Sequence, residues 1–494
     1  MSELYDGYIV GQGIDEMFAP DGSVRAPYAS FLERTRGWDG ARYRDREEAA
    51  GLETLNNGIT FTVYSESLGT ERIFPFSLIP RIIEHQEWAR VERGLIQRVT
   101  ALNRFLADLY DQQQVIADGI VPGPLVLDHP GYQLSMVGVR APLGTHVHIA
   151  GIDLIRDIEG EFRVLEDNLR TPSGVSYVIE NRRTMATSVP EVFPREGVGP
   201  VVDYPERLLE ALIEVAPPGA PETPRVVILT PGAANSAYFE HSFLARQMGI
   251  ELVEGRDLLV HEERVYLRST TGLERVDVIY RRVDDEFIDP LAFRPDSMLG
   301  VPGLMSAYRA GNVTLVNAVG NGVADDKAVY RYVPDLVRYY LNEEPILRNV
   351  DTYVGWREDD LEYMLDHLDE LVSKPTDASG GYGIVVGPQA SPRDLDALRL
   401  NIRSDPRRWV AQPVQEFSTI PSFDGDHFEP RRSDLRPFVV TGASSWVLPG
   451  GLTRVARDRE SYIVNSSQGG GSKDTWVLAP RGGHAAGPLP EEVD

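Results

Sequence analysis

Asp153, Glu166 and Asn168 are the side chains of this sequence best placed to do chemistry. They lie within Gly151–Gly174, a segment that reads as a β-hairpin. In Val-Leu-Glu-Asp-Asn the side chains alternate with period two, so Glu166 and Asn168 share one face of a strand. Asp157-Ile-Glu-Gly160 supplies turn residues ahead of it. A hairpin whose loop covers residues 158–161 puts Asp153 directly opposite Glu166. Three hard oxygen donors would then converge on one patch, a set suited to Mg²⁺ when the ion also carries nucleotide phosphates. A surface hairpin with solvated carboxylates shows the same local pattern, so the phosphate side must come from elsewhere in the chain.

Leu371-Val-Ser-Lys374-Pro-Thr-Asp-Ala-Ser-Gly380-Gly381-Tyr-Gly383-Ile-Val-Val386 is the second such stretch. A strand ends in a lysine, a loop with three glycines follows, and an apolar strand comes after. Glycines let backbone N–H groups close over phosphate oxygens without Cβ clashes, and the lysine adds a point charge. This is strand–loop–strand. The strand-to-helix P-loop with Gly-Lys-Ser/Thr is absent. Gly11-Gln-Gly13 is likewise an incomplete dinucleotide fingerprint. Downstream, Trp409-Val-Ala-Gln412-Pro-Val-Gln-Glu416-Phe reads as a strand leading into a linker. Asp434-Leu-Arg436 and Gly451-Leu-Thr-Arg454 follow, then Asn465-Ser-Ser-Gln-Gly-Gly-Gly-Ser-Lys473, read as a second glycine loop with a lysine or else a plain surface loop.

Composition sets the bounds. The chain has 494 residues, 42% of them apolar and 25% charged, as expected of a globular protein of two or three lobes. Lys plus Arg number 49 and Asp plus Glu 75, a net charge of −26. Such a surface repels nucleic acid, so any phosphate site must be a local nest of N–H groups, lysines and metal. With no cysteine, thiol nucleophiles, disulfides and zinc–thiolate sites are excluded. No signal-peptide pattern and no bilayer-length apolar run is visible, so a cytoplasmic protein without a membrane partner is expected.

Several elements must position these residues. Apolar residues at helical spacing from Ile82 to Leu109 predict one long helix over 78–111. Residues 1–60 read as an irregular or partly helical N-terminal segment, and 61–215 as a helical lead plus the metal hairpin. Ala216-Pro-Pro-Gly-Ala-Pro-Glu-Thr-Pro224 is a linker. After it, Val226-Val-Ile-Leu229, a helix over 236–248, Ile250–Val253 and Val276–Tyr280 predict half of a doubly wound domain within 225–320. Helices are expected over 327–341 and 358–373, inside a region 321–480 that holds the glycine loop. The tail 481–494 reads as disordered. Arg281-Arg282 next to Asp284-Asp285 would be a carboxylate clamp or a surface ion-pair cluster. His146-Val-His148 would be a packed pair or, less simply, a metal pair.

Together these motifs resemble the circularly permuted ATP-grasp family and, more distantly, the glutathionylspermidine synthetases. Lys374-Pro375 with Gly380, Gly381 and Gly383 resembles the family's glycine loop. Gln412 to Glu416 resembles its inter-lobe segment, and Asp153, Glu166 and Asn168 followed by Pro172-Ser-Gly174 resemble its metal strand. The metal strand precedes the glycine loop, the reverse of the ordinary order. The resemblance implies an α/β fold of α+β lobes, a circularly permuted ATP-grasp with a doubly wound pre-ATP-grasp-like domain. It implies ATP and Mg²⁺ as cofactors. Lys327, Lys374, the three glycines, Gln412 and Glu416 would bind nucleotide, and Arg436, Arg170 and Lys374 would serve catalysis. The implied activity is an ATP-dependent carboxylate–amine ligase acting on small-molecule or peptide substrates through an acyl-phosphate. Such ligases often carry an arginine two residues before the metal aspartate, where this chain has Gly151; Arg140, Arg170 or Arg436 would have to replace it. That departure motivates the alternative of a nucleotide-binding regulatory or scaffolding protein.

Overall fold

The computed structural model describes residues 3–11, 13–63, 70–73, 75–194, 197–376, 383–464 and 470–480. Gly380, Gly381, most of the second glycine loop and the tail from Arg481 therefore lie outside the described residues. The chain is a mixed α/β structure organised by one large sheet. Along the sheet the strands run Arg348–Asn349, Phe162–Asn168, Ile149–Arg156, Phe428–Arg436, Leu452–Val455, Gly471–Val477 and Phe76–Ile83. Phe438–Thr441 also pairs with Ile149–Arg156, extending the sheet beside the hairpin.

The long helix is shorter than its periodicity predicts. Phe76–Ile83 is a strand, paired in parallel with Gly471–Val477, and the helix runs His85–Leu109. Ile82 and Ile83 fit either period, and the sheet partner decides between them. The expected helix over 358–373 likewise ends at Asp366, and Leu371–Pro375 is a strand. That over 327–341 splits into Lys327–Tyr330 and Val333–Leu341, with Pro334 in the first turn of the second piece. The polar N-terminal stretch contains the helix Gly40–Asn56, started by an Asp39 side chain that accepts from Arg42 N–H.

Beside the large sheet lies a parallel sheet ordered Thr314–Val316, Val278–Arg281, Val226–Leu229, Glu251–Val253. Val227, Leu229 and Ile279 face the core shared with the long helix, whereas Val226, Ile228 and Val278 face a second core under Tyr204–Glu214 and Tyr238–Met248. Both faces are covered, which is why these strands are continuously apolar. A third unit carries Tyr353–Val354, Trp409–Pro413, Leu371–Pro375 and Val385–Val386 as an antiparallel sheet, with Pro392–Ser404 packed on it. Among the described residues, no helix is long and apolar enough to cross a membrane.

His146 and His148 are packed groups. The His148 ring Nδ1 lies 3.1 Å from the Thr441 carbonyl, and His146 stacks near Tyr110 with ring centroids 6.2 Å apart. Burial pushes both imidazoles down to about 4. They are neutral when folded, so below the ordinary histidine value the unfolded chain binds protons that the folded one refuses. Stability is then present above about pH 6.5 and is lost as pH falls towards 4, by about 1.4 kcal/mol per histidine per unit. We expect the urea midpoint to fall between pH 7 and 5, and His146→Phe to flatten that slope.

Candidate active site

The hairpin register is the one the spacing predicts, reached by a compensated route. Arg156 pairs with Phe162, Ile155 with Arg163 and Leu154 with Val164, so the turn is one residue longer than expected. A bulge at Leu165 then restores the frame, and Asp153 stands opposite Glu166 and Gly151 opposite Asn168. Asp167 points to the other face, where Arg98 of the long helix binds both its oxygens, at 2.7 and 2.6 Å, and also reaches Asn349. That buried fork fixes which face Glu166 and Asn168 present.

The next strand adds to the same row. Leu435 pairs with Leu154, which brings Arg436 beside Asp153, and Asp434 pairs directly with Arg454 on the strand beyond. Arg436 Nη2 donates to Asp153 Oδ2 at 2.8 Å while its Nε donates to Oδ1, and Arg454 Nη2 donates to the same Oδ2 at 2.8 Å. Arg454 also donates from Nε to Asp434 at 2.9 Å. Burial alone would raise the Asp153 carboxyl, but the two guanidiniums outweigh it and hold the group well below the usual range. For Asp434, which Arg454 binds, burial wins and the value is raised.

Lys327 opens its helix behind the Asp326 N-cap and places Nζ 3.0 Å from Glu166 Oε1. Lys374 donates to Gln412 Oε1 at 2.7 Å, and Gln412 in turn donates to Thr352 Oγ1 at 3.0 Å. Burial lowers the Lys374 ammonium to about 8, with Glu166 opposing and Lys327 reinforcing the shift. Asp153, Glu166, Lys327, Lys374, Gln412, Asp434, Arg436 and Arg454 line one cleft of about 860 Å³ between the large sheet and the Leu371–Pro375 unit. Its other walls are apolar at Val372, Ile384, Val386 and Phe417, and polar at Arg170, Asp325 and His129. Arg170 Nε donates to Asp325 at 2.7 Å.

The structure thus brings together Asp153, Glu166, Asn168, Lys327, Lys374, Gln412, Arg170 and Arg436 at one cleft. Gly383 takes φ +74°, and a Cβ there would meet Pro375 at 3.0 Å, so that position favours glycine. Glu416 does not line the cleft; Arg432 and Tyr462 hold its carboxylate, at 3.1 and 3.4 Å. Gln412 is buried and holds Lys374. Lys473 is no loop lysine: it is fully buried in its strand and donates to Ser77 Oγ at 2.6 Å and the Pro421 carbonyl at 2.9 Å. Arg281 and Arg282 are buried, and Arg281 pairs with Asp285 at 2.7 Å, so the cluster is an internal one rather than a surface one. Arg281 binds the Asn317 and Ala318 carbonyls, and Arg282 ties the Thr171–Ser173 loop to Glu240. Asp434 and Arg454 are the site residues that sequence reasoning passed over. For Asp434 the signal was present, since it and Arg436 are two apart on one strand face.

A model of the family described as circularly permuted ATP-grasp type 2 matches residues 80–456. The chain belongs to that family. An uncharacterized protein of Mycobacterium tuberculosis is 53% identical across 98% of this chain and 88% of its own length. A Synechocystis protein is 52% identical across 95% of this chain and 98% of its own. A Frankia alni protein with a provisional glutamate–cysteine ligase name is 45% identical across 94% of this chain, which spans only 54% of that relative's length. Among solved structures, a glutathione synthetase-like effector from Globodera pallida shares the fold, with a TM-score of 0.56 and 13% identity over 89% of this chain and 98% of that one.

Gly151, where amino-acid ligases were expected to carry an arginine, is closely surrounded. A Cβ at 151 would sit 3.0 Å from Pro172 Cβ and 3.2 Å from Arg436 Cδ. The Arg436 side chain therefore occupies the space over Gly151. We expect Gly151→Arg to be destabilising by about 1–3 kcal/mol, as overpacking is, with thermal denaturation as the check; an unchanged melting temperature would mean that Arg436 gives way freely.

Proposed function

We propose that this protein is an ATP- and Mg²⁺-dependent carboxylate–amine ligase, forming an amide through an acyl-phosphate. The observation that carries the reading is the row of donors facing the cleft: Asp153, Glu166 and Asn168 on paired strands, with Lys327, Lys374, Arg436 and Arg454 around them. The donor chemistry fits Mg²⁺, two carboxylates and an amide oxygen being hard oxygen ligands that face one cleft. Asp153, Glu166 and Asn168 would hold the ion, which when bound would neutralise charge on the β- and γ-phosphate oxygens.

The chain's own residues do the positioning. Lys327 and Lys374 lie where they can neutralise phosphates, and the apolar wall at Val372, Ile384 and Phe417 suits a purine ring. Arg436 sits beside the donors over Gly151 and would steady the negative charge that builds as the acceptor carboxylate attacks the γ-phosphorus. ADP leaves, an amine displaces phosphate from the acyl-phosphate, and the amide forms. Arg170, held by Asp325 in the cleft lining, would orient the acceptor carboxylate. The ligase name of the Frankia relative favours amino-acid substrates, though that protein is about twice as long. The Arg436 side chain over Gly151 favours ligase chemistry over a purely regulatory role.

Two outcomes test this. Glu166→Gln should abolish ATP-dependent phosphate release in the presence of pooled amino acids, peptides and polyamines while the circular dichroism spectrum is kept; full turnover by that variant removes the metal assignment. Second, Lys374 carries its charge below about pH 8 and loses it above. Because phosphate favours the ammonium form, the nucleotide Kd should rise by up to about tenfold per pH unit above 8. Lys374→Arg, charged throughout, should remove that rise in a calorimetric titration.

A further inference from the structure

His129 lines the cleft beside Asp326 and Lys327. Its surroundings fix which way the ring points. The Gly131 N–H donates to Nδ1 at 2.9 Å, so the proton of the neutral imidazole sits on Nε2. That nitrogen lies 3.2 Å from Asp326 Oδ2. The turn holding the ring is tight. The Tyr132 N–H closes it on the His129 carbonyl at 2.9 Å, and Tyr132 stacks on the buried Tyr110 with ring centroids 5.3 Å apart. A Cβ at Gly131 would stand 2.9 Å from Nδ1 and 3.0 Å from the Gly322 carbonyl carbon. Both ring nitrogens are engaged, so His129 is not set to take a proton from a substrate.

Asp326 is buried, and its other oxygen caps the short helix Lys327–Tyr330, accepting from Ala328 N–H at 2.7 Å and from Val329 N–H at 3.2 Å. Among the described residues, His129 is the one side chain that reaches this carboxylate from outside the helix. A helix of four residues has too few internal bonds to hold its own start in place. Its first residue is Lys327, whose Nζ stands 3.0 Å from Glu166 Oε1. The preceding Asp325 grips the strand end after Asn168, accepting from Leu169 N–H at 2.5 Å and from Arg170 Nε at 2.7 Å. Three consecutive residues thus fasten the lysine to the row of donors, and His129 braces the middle one.

We propose that His129 is a positioning residue for the nucleotide: by holding the Asp326 cap it fixes where Lys327 Nζ meets phosphate. This rests on the nucleotide reading of the cleft. The test is calorimetric titration of the full chain with a non-hydrolysable β,γ-imido ATP analogue and Mg²⁺. Two substitutions divide the contacts of the ring. His129→Gln keeps an N–H donor near the place of Nε2 and gives up the Nδ1 acceptor, whereas His129→Asn keeps an acceptor near Nδ1 and gives up the donor. We expect His129→Asn to weaken the analogue about tenfold, the scale of one lost hydrogen bond to a charged group. His129→Gln should stay within about threefold of the unaltered protein. His129→Ala, which removes both contacts, should weaken binding at least as much as His129→Asn and replaces it if that variant does not fold. In a Lys327→Met background, His129→Asn should change the affinity by less than about twofold, because it acts through that lysine. The opposite order, with asparagine tolerated and glutamine not, would assign the ring to building the turn and overturns the inference. Additive losses in the double variant overturn it too, while the nucleotide reading stands. An analogue that fails to bind the unaltered protein overturns both.

Discussion

A carboxylate taken out of water must be paired, and Asp153 is the place where that requirement governs this molecule. Buried charge is tolerated only where opposite charge and hydrogen bonds replace the lost water. Here the replacement comes from two strands far along the chain, Phe428–Arg436 and Leu452–Val455, whose arginines close on the carboxylate. Without that pairing the centre of the large sheet would hold an isolated anion. Sheet order, register and site electrostatics are therefore one arrangement: the pairing of Leu435 with Leu154 and of Asp434 with Arg454 sets the fold and the charge pattern together.

The same logic explains how an acidic chain can set cations beside the acids of its cleft. Net charge describes the surface seen from afar, whereas a narrow cleft responds to the groups lining it. Each acid of the row is matched or outnumbered by a base held within hydrogen-bonding distance, and Arg98 removes Asp167 to the opposite face. Buried forks of this kind hold geometry more than they add stability, because their desolvation cost offsets much of the attraction. Their value here is orientation. Arg98 fixes the hairpin face, and Arg282 with Glu240 fixes the Thr171–Gly174 loop, on whose Ser173 carbonyl Arg436 also leans.

How much of this was legible depended on sequence distance. The Asp153–Glu166 pairing could be read because a hairpin is local, and even the longer turn was absorbed by the Leu165 bulge. The parallel strands Val226–Leu229 and Val278–Arg281 could be read because burial on both faces leaves a run of branched apolar residues. Phe76–Ile83 could not be told from the helix after it, because isoleucines satisfy either period until a partner strand chooses. Lys473 looked like a loop lysine because its glycine neighbours hide the strand that begins at Gly471. The Asp434–Arg454 and Asp153–Arg454 contacts cross 20 and 301 positions, and no local pattern encodes a contact of the second kind.

Local sequence and long-range packing meet at Gly151. Read along the chain, it is a missing arginine and an argument against catalysis. In the folded molecule the lack of a side chain is what admits Arg436, whose aliphatic stem lies over the glycine while its guanidinium reaches Asp153. An arginine rooted at 151 and one rooted at 436 could not both occupy that space. A guanidinium can reach Asp153 from the neighbouring strand, and here it does so from position 436.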